Sequence, residues 1–297
     1  MTTAAYHRLS RWTPAWFLAP ALAITAAVVV VPAAQTIWLS LQDYLLYEPD
    51  AATFVGLGNF KAILQDEVFW ISLWHSAIWI IGVVGLQFLL GLVTALLLNQ
   101  SFWWRGAARA LVVVPWALPS VIIGLMWTWM YDFNVGVLND ILVRIGIIDA
   151  PVAWLARPDL ALAAIMAALV WQGFPFFAIT ILAGLQTIPA ELYEAAEIDG
   201  AGEWTKFWTI TMNTSKPILA VTALHAFTSA YSAFMMALII IPDQRMWTLM
   251  VWIYQLQTSA HSTVVFASLV IAAIPTFLIF VLCQNIIMRG IVVPQEK

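Results

Sequence analysis

VFWISLWHSAIWIIGVVGLQFLLGLVTALLLNQSFWW, residues 68–104, contains no Asp, Glu, Lys or Arg. A bilayer's hydrocarbon core is about 30 Å thick, so about 20 helical residues rising 1.5 Å each are enough to cross it. The run is apolar on every face, which excludes the alternating pattern of a transmembrane β-barrel strand. Five more uncharged runs flank it, over residues 12–42, 110–131, 160–190, 217–242 and 246–288. Composition agrees, because 63% of the 297 residues are hydrophobic and 9% are charged, against roughly 45–50% and 25% in an average soluble domain. A soluble globular protein is excluded. The sequence predicts an all-α membrane protein with six transmembrane helices, at about 14–41, 71–99, 110–131, 160–186, 217–241 and 262–288.

Arg8 and Arg11 precede the first run. That run is about twice the length of a signal-peptide h-region, so it reads as an uncleaved first span. The single cysteine, Cys283, excludes an intramolecular disulfide and a cysteine metal cluster. No basic nucleic-acid patch is present. Orientation follows the cations near the span ends. Arg8, Arg11, Arg105, Arg109, Lys206, Lys216, Arg289 and Lys297 fall on the side of the N-terminus, and only Lys61, Arg144, Arg157 and Arg245 on the other. Both termini are therefore expected in the cytoplasm, with a cytoplasmic N-terminus (1–11), a six-span transmembrane domain (12–290) and a cytoplasmic tail (291–297).

The connecting segments differ in character. Outside, Val137, Leu138, Ile141, Leu142 and Ile145 recur at helical spacing, predicting a short amphipathic helix that lies on the membrane or on the rest of the protein. Inside, residues 187–216 carry Glu191, Glu194, Glu197, Asp199 and Glu203 and read as helix, turn, helix. Pro189 suits a first helical position, the early glutamates suit the positive end of the helix dipole, and Gly200 suits a left-handed helix end. Pro217 is expected to start the fifth span. No internal repeat is evident.

The chain carries no phosphate-binding GxxxxGK[ST] loop, HExxH motif or nucleophile elbow. Any ATP that drives it is hydrolysed by another chain. The spans hold no Asp, Glu, Lys or Arg to act as an ion relay. His75, His225 and His261 lie in or near them, and His225 reads as a neutral imidazole bonded to a neighbouring helix rather than a proton carrier. A neutral solute would instead need uncharged polar and aromatic side chains. Gln87, Trp171, Gln172, Thr180, Ser229, Tyr231, Ser232, Tyr254 and Gln255 are the candidates. Stacking surfaces with amide and hydroxyl partners suit a sugar. Against this stands the ordinary use of tryptophan as an interface anchor, as at Trp12, Trp16, Trp70, Trp103 and Trp104, and of Ser, Thr and Gln as glue between helices.

LAGLQTIPAELYEAAEIDGA, residues 182–201, followed by Phe207, Ile210 and Pro217, resembles the "EAA" coupling loop of bacterial ABC-importer permeases. Glu194-Ala195-Ala196, Gly200 and Ile210 stand at that family's spacing. The resemblance extends through residues 114–120 (VPWALPS), the run 127–142 with Gly136 and Asn139, residues 154–156 (WLA) and residues 54–60 (FVGLGNF), all similar to carbohydrate permeases of the maltose and glycerol-phosphate importer type. It implies a type I ABC-importer permease architecture with a cytoplasmic coupling helix. Glu191, Glu194, Ala195, Ala196, Asp199, Gly200, Ala201 and Ile210 would couple to the ATPase: small alanines permit close docking, carboxylates accept from a partner's donors, and Gly200 makes the bend. It further implies a homologous permease as partner, two ATP-binding subunits that hold ATP and Mg²⁺, an extracytoplasmic solute-binding protein, no cofactor on this chain, and a bacterial inner-membrane location in contact with lipid. The implied function is import of a mono- or oligosaccharide or polyol by alternating access. The alternatives are a permease for another solute such as a glycerol phosphoester, an ATP-independent channel or secondary carrier, and a membrane scaffold. Two features depart from the family. Asn213 stands where proline is usual, which implies a gentler exit from the loop, and residues 229–249 lack the Gly-Gly-Gly-Pro stretch of one of the two permease types.

Overall fold

The computed structural model describes residues 3–45, 48–240, 244–259 and 262–291. They form two compact units, residues 1–66 with 255–273, and residues 67–254 with 274–297. His261 and the tail beyond Ile291 lie outside the described residues.

In the first unit the opening run folds as α1 (Thr3–Thr25) and α2 (Val31–Ser40), joined by a π-helical widening at Ala26–Val30. Pro32 sits in the first turn of α2. It has no N–H for a carbonyl four residues back and its ring would meet that oxygen, so the turn widens just before it. Trp16, Phe17, Leu22 and Ile24 project outward, as suits a helix solvated by lipid. Where the sequence predicts only a connecting segment, the structure has a two-stranded antiparallel hairpin, β1 (Gln42–Leu45) and β2 (Glu48–Phe54), with Gln42 opposite Phe54. Buried Asn59, on α3 (Gly58–Gln65), fixes the hairpin to the helix before it: its Nδ2 donates to the carbonyls of Ser40 (2.9 Å) and Gln42 (2.8 Å).

The second unit is built on α4 (Glu67–Asn99) and α8 (Pro158–Leu185), which pack along their lengths. Glycine permits the approach. A Cβ on Gly91 would fall 2.3 Å from the Cβ of Phe177, and one on Gly173 would fall 2.1 Å from Nε2 of Gln87. Gln87 Nε2 in turn donates to the carbonyl of Leu169 (2.9 Å). Buried apolar side chains form two clusters. One gathers Trp79, Val83, Ile123, Ile165, Leu169 and Val251; the other gathers Ala95, Leu98, Ala108, Phe177, Ile181 and Leu185.

The run 110–131 is not one straight span. It folds as α5 (Arg105–Ala117) and α6 (Ser120–Met130), whose axes differ by 93°. Pro119 explains the corner, since its ring forces Leu118 out of the helical region, to φ −81°, ψ 140°. The run 217–242 is also interrupted: α11 (Met212–Tyr231) ends before Ser232, and α12 (Phe234–Ile240) follows. The run 246–288 holds two helices, α13 (Leu249–Ser259) and α14 (Ser262–Ile291). Among the described residues, four helices are long and apolar enough to span a membrane, or five if the bent pair is counted as one span.

The amphipathic helix expected there is present as α7 (Val137–Arg144), with Leu138 and Leu142 half-buried and Val137 and Ile141 exposed, as is Ile145 just beyond its end. Polar bonding holds this segment. Buried Asn139 donates from Nδ2 to the carbonyls of Asp132 (3.3 Å) and Val152 (3.0 Å), and its Oδ1 accepts from the Val152 amide (3.0 Å) and from Trp154 Nε1 (2.9 Å).

Candidate functional site

A cavity of about 570 Å³ opens in the second unit among α4, the α5–α6 corner, α8 and α11. The corner brings Trp116, Pro119 and Ser120 to its wall. Trp116 lies 5.9 Å from Phe176 between ring centroids, and Phe176 lies 4.3 Å from the His225 imidazole, so three mutually tilted rings follow one another along the wall. Beside it Gln172 Nε2 donates to Ser120 Oγ (3.1 Å), and Ser229 lies 3.5 Å from His225 Nε2. Among the described residues, no Asp, Glu, Lys or Arg is in the lining. Such a wall offers apolar contact to a ring face and hydrogen bonds to hydroxyls.

Of the sequence candidates, Gln87, Gln172, Ser229 and Ser232 meet at this cavity. The others go elsewhere. Trp171 packs edge-on against Trp127 (5.8 Å), buried Tyr231 stacks on Phe227 (5.7 Å), and Tyr254 lies against Phe234 (5.0 Å). Thr180 donates to the Phe176 carbonyl within its own helix (2.7 Å), and Gln255 is not in the lining. The reason is helical phase: Gln172 and Phe176 are four apart and share a face, whereas Trp171 is turned about 100° from Gln172. His225, read from sequence as helix glue, lines the cavity instead, with Phe176 one helix away. Trp116, Ser120 and Phe176 were missed. The proline pair Pro115 and Pro119 was the available signal, because a break there turns a helix end inward.

The acidic segment folds as α9 (Ala190–Ile198), α10 (Glu203–Lys206), a π-helical turn over Phe207–Thr211, and α11. Pro189 precedes α9 rather than occupying its first turn, and Pro217 lies within α11 rather than at its start. The departure at Asn213 explains the second difference, since Asn213 has the N–H that proline lacks and the helix runs through it. α9 has no buried residue, and Glu191, Glu194, Ala195 and Ile198 line its exposed face at i, i+3, i+4 and i+7. It ends at Gly200, φ +76°, where the Gly200 amide donates to the Glu197 carbonyl (3.0 Å) and the Ala201 amide to that of Ala196 (2.9 Å). Half-buried Tyr193 and Ile210 pack on the cluster that joins α4, α5 and α8. Asp199 and Ala201 sit at the bend itself.

Missed by sequence reading was Lys206. Its side chain is 7% exposed, and Nζ bonds Glu197 Oε1 at 2.8 Å and pairs with Glu203. The bond from Lys206 holds the Glu197 carboxyl below the usual carboxylate range, and the two glutamates raise the Lys206 ammonium pKa against the opposing effect of burial.

Apolar helices around an aromatic-walled cavity, with an acidic helix displayed outside them, define a membrane transport subunit. Residues 87–293 match the family described as binding-protein-dependent transport system inner membrane component, and the chain belongs to that family. It is 39% identical to the trehalose/maltose transport system permease protein MalF of Thermococcus litoralis, over 69% of this chain and 68% of that one. It is 37% identical to the sulfoquinovosyl glycerol transport system permease protein SmoG of Agrobacterium fabrum, over 73% and 70%. In structure it is similar to a chain of a bacterial ABC transporter that imports the acidic polysaccharide alginate, with a TM-score of 0.76 at 20% identity over 97% of this chain and 100% of the other. A chain of the MetNI methionine ABC transporter, in an inward-facing conformation, matches with a TM-score of 0.54 at 17% identity, over 77% and 100%. The protein is thus an ABC-transporter permease subunit, a multi-pass inner-membrane component with the type I importer fold, and it is not an enzyme in its own right.

Proposed function

We propose that this permease carries a sugar or polyol into the cytoplasm by alternating access. The observation that carries the reading is the cavity wall of Trp116, Phe176 and His225 beside the Gln172–Ser120 hydrogen bond, with no Asp, Glu, Lys or Arg among the described lining residues. A pyranose has apolar faces and a rim of hydroxyls, and this wall has a partner for each. An anionic solute such as a glycerol phosphoester would need its countercharge from outside this described lining, for example from the homologous permease that completes the cavity. The relatives named for trehalose/maltose and sulfoquinovosyl glycerol transport support a sugar-containing solute.

In this reading six spans place both termini in the cytoplasm. A homologous permease completes the cavity, two ATP-binding subunits hold ATP and Mg²⁺, and an extracytoplasmic protein delivers the solute. The exposed face of α9, with Glu191, Glu194 and Ala195, docks on an ATPase, and the bend at Asp199, Gly200 and Ala201 sets its angle. Rigid rotation of the two permeases is then the two-state element that both ATP and solute bias. The test is purification of the chain co-expressed with these partners, followed by ATP hydrolysis assays with a sugar panel that includes maltose and trehalose. The expected result is an ATPase that co-purifies and is stimulated by one sugar together with its binding protein. Absence of any co-purifying ATPase in mild detergent would return the channel or carrier reading to the front.

A further inference from the structure

We infer that Lys206 is a positioning residue that locks the α9 docking helix to the helical elbow leading into α11, so that movement of α9 is passed to the cavity-lining helix rather than lost in the loop. The inference rests on the coupling role proposed above for α9. Lys206 is the only fully charged residue type among the buried residues described, at 5% exposure. A buried ammonium without partners is costly, so its place implies that its bonds define a geometry. Of its two partners, Glu203 is on the same short helix three residues earlier, whereas Glu197 belongs to α9, on the far side of the Gly200 bend. Only the Glu197 bond joins the two elements.

A second bond crosses the same seam: the Tyr193 hydroxyl and Thr211 Oγ1 share a hydrogen bond of 2.9 Å. Lys206 precedes the π-helical turn and Thr211 is its last residue, and α11, continuous with it, carries His225 and Ser229 to the cavity. Without these ties the bend is a hinge. Gly200 has nothing within 4 Å of a would-be Cβ, and Gly202 is equally open, so no packing stiffens the turn. The glutamates remain 65% and 91% exposed, and the lysine they hold does not. The polar tie is thus anchored at its buried end, as a strut requires.

The experiment uses the full complex with its ATPases, second permease and binding protein in nanodiscs. Cys283 is replaced by alanine and a reporter Ser229→Cys is placed at the cavity. Labelling by a membrane-impermeant maleimide is measured without nucleotide and with Mg-ATP plus vanadate, alongside basal ATP hydrolysis. In the parent, trapping is expected to change the labelling rate at least about five-fold, the lower end of ordinary allosteric coupling. Lys206→Met and Glu197→Gln are expected to hydrolyse ATP but lose that change, while Lys206→Arg and Glu203→Gln keep it. Retention of the full change in Glu197→Gln, or its loss in Glu203→Gln, would overturn the inference. Should Lys206→Met fail to insert, the exposed Glu197→Gln decides alone. A parent complex that lacks an ATPase, or whose labelling ignores nucleotide, refutes the transport reading itself, a result visible before any variant is made.

Discussion

At the scale of single residues, Gly200 is where backbone conformation alone carries a consequence. Its φ of +76° lies where an L-residue strains, and no neighbour would meet an added methyl. Gly200→Ala is therefore a conformational perturbation without a clash, costing about 1–2 kcal/mol in the left-handed region. The expected outcome is a complex with intact membrane insertion but diminished ATPase co-purification or sugar-stimulated hydrolysis. Gly202→Ala serves as its control, since Gly202 has φ −71° and equally open surroundings, and it is expected to behave as the parent. The Lys206 tie predicts a pH profile. Glu197 is held below its ordinary pKa, so its contribution is complete above about pH 4.3 and is lost only as pH falls through the lowered value. Lys206 is raised, so its contribution is complete below about pH 10.4 and is lost only as pH climbs through the raised value. Between pH 6 and 9 the tie does not titrate. The nucleotide-dependent labelling change is expected to be flat across that interval, and a titration within it would show that another group holds α9.

At the scale of elements, α4 and α8 show how much of the fold can be read from sequence. Each fills most of an uncharged run, starts one or two residues before it at Glu67 and Pro158, and forms a helix close to its expected limits, Glu67–Asn99 for 71–99 and Pro158–Leu185 for 160–186, because hydrophobic length alone fixes a span. Breaks inside runs were not legible from hydropathy, which is blind to backbone geometry. Pro119 turns α5 from α6 without altering the apolar character of the run, and Ser232 and Ala233 interrupt the fifth run as quietly. Strands β1 and β2 were invisible because four and seven residues that include Asp43, Glu48 and Asp50 show no alternation strong enough to recognise. Helix proximity is similarly a matter of single glycines. Gly91→Ala would press a Cβ to 2.3 Å of Phe177 Cβ and 3.0 Å of the Ala178 amide nitrogen, contacts with atoms that cannot swing away. Overpacking of this kind costs about 1–3 kcal/mol, so the variant is expected to lose folded yield and melt earlier in detergent. Gly85→Ala on the same helix has nothing within 4 Å and is expected to leave both unchanged.

At the scale of the whole molecule, the site is legible in proportion to how locally it is encoded. The α9 segment was readable because its acceptors, small residues and bend are consecutive. The cavity was readable only in part, because residues 116, 172 and 225 come together through a corner and two helix faces. This contrast supplies a paired test of the sugar reading. Trp116 stands at the cavity wall, whereas Trp171, an equally plausible stacking residue in the sequence, faces Trp127 in the apolar cluster. A ring lost from a stacking surface forfeits about 0.5–1.5 kcal/mol beyond area burial, which is a rise of about two- to ten-fold in the solute concentration giving half-maximal uptake. Trp116→Ala is expected to show that rise in transport assays with the stimulating sugar, while basal ATP hydrolysis and melting temperature stay near those of the parent. Trp171→Ala is expected to do the reverse, lowering the melting temperature by opening a void and leaving half-maximal uptake unchanged in the protein that survives. If both variants shift only stability, Trp116 is another core tryptophan and the wall does not bind solute. If both shift only uptake, the helical phase that separates Gln172 from Trp171 does not select the translocation face.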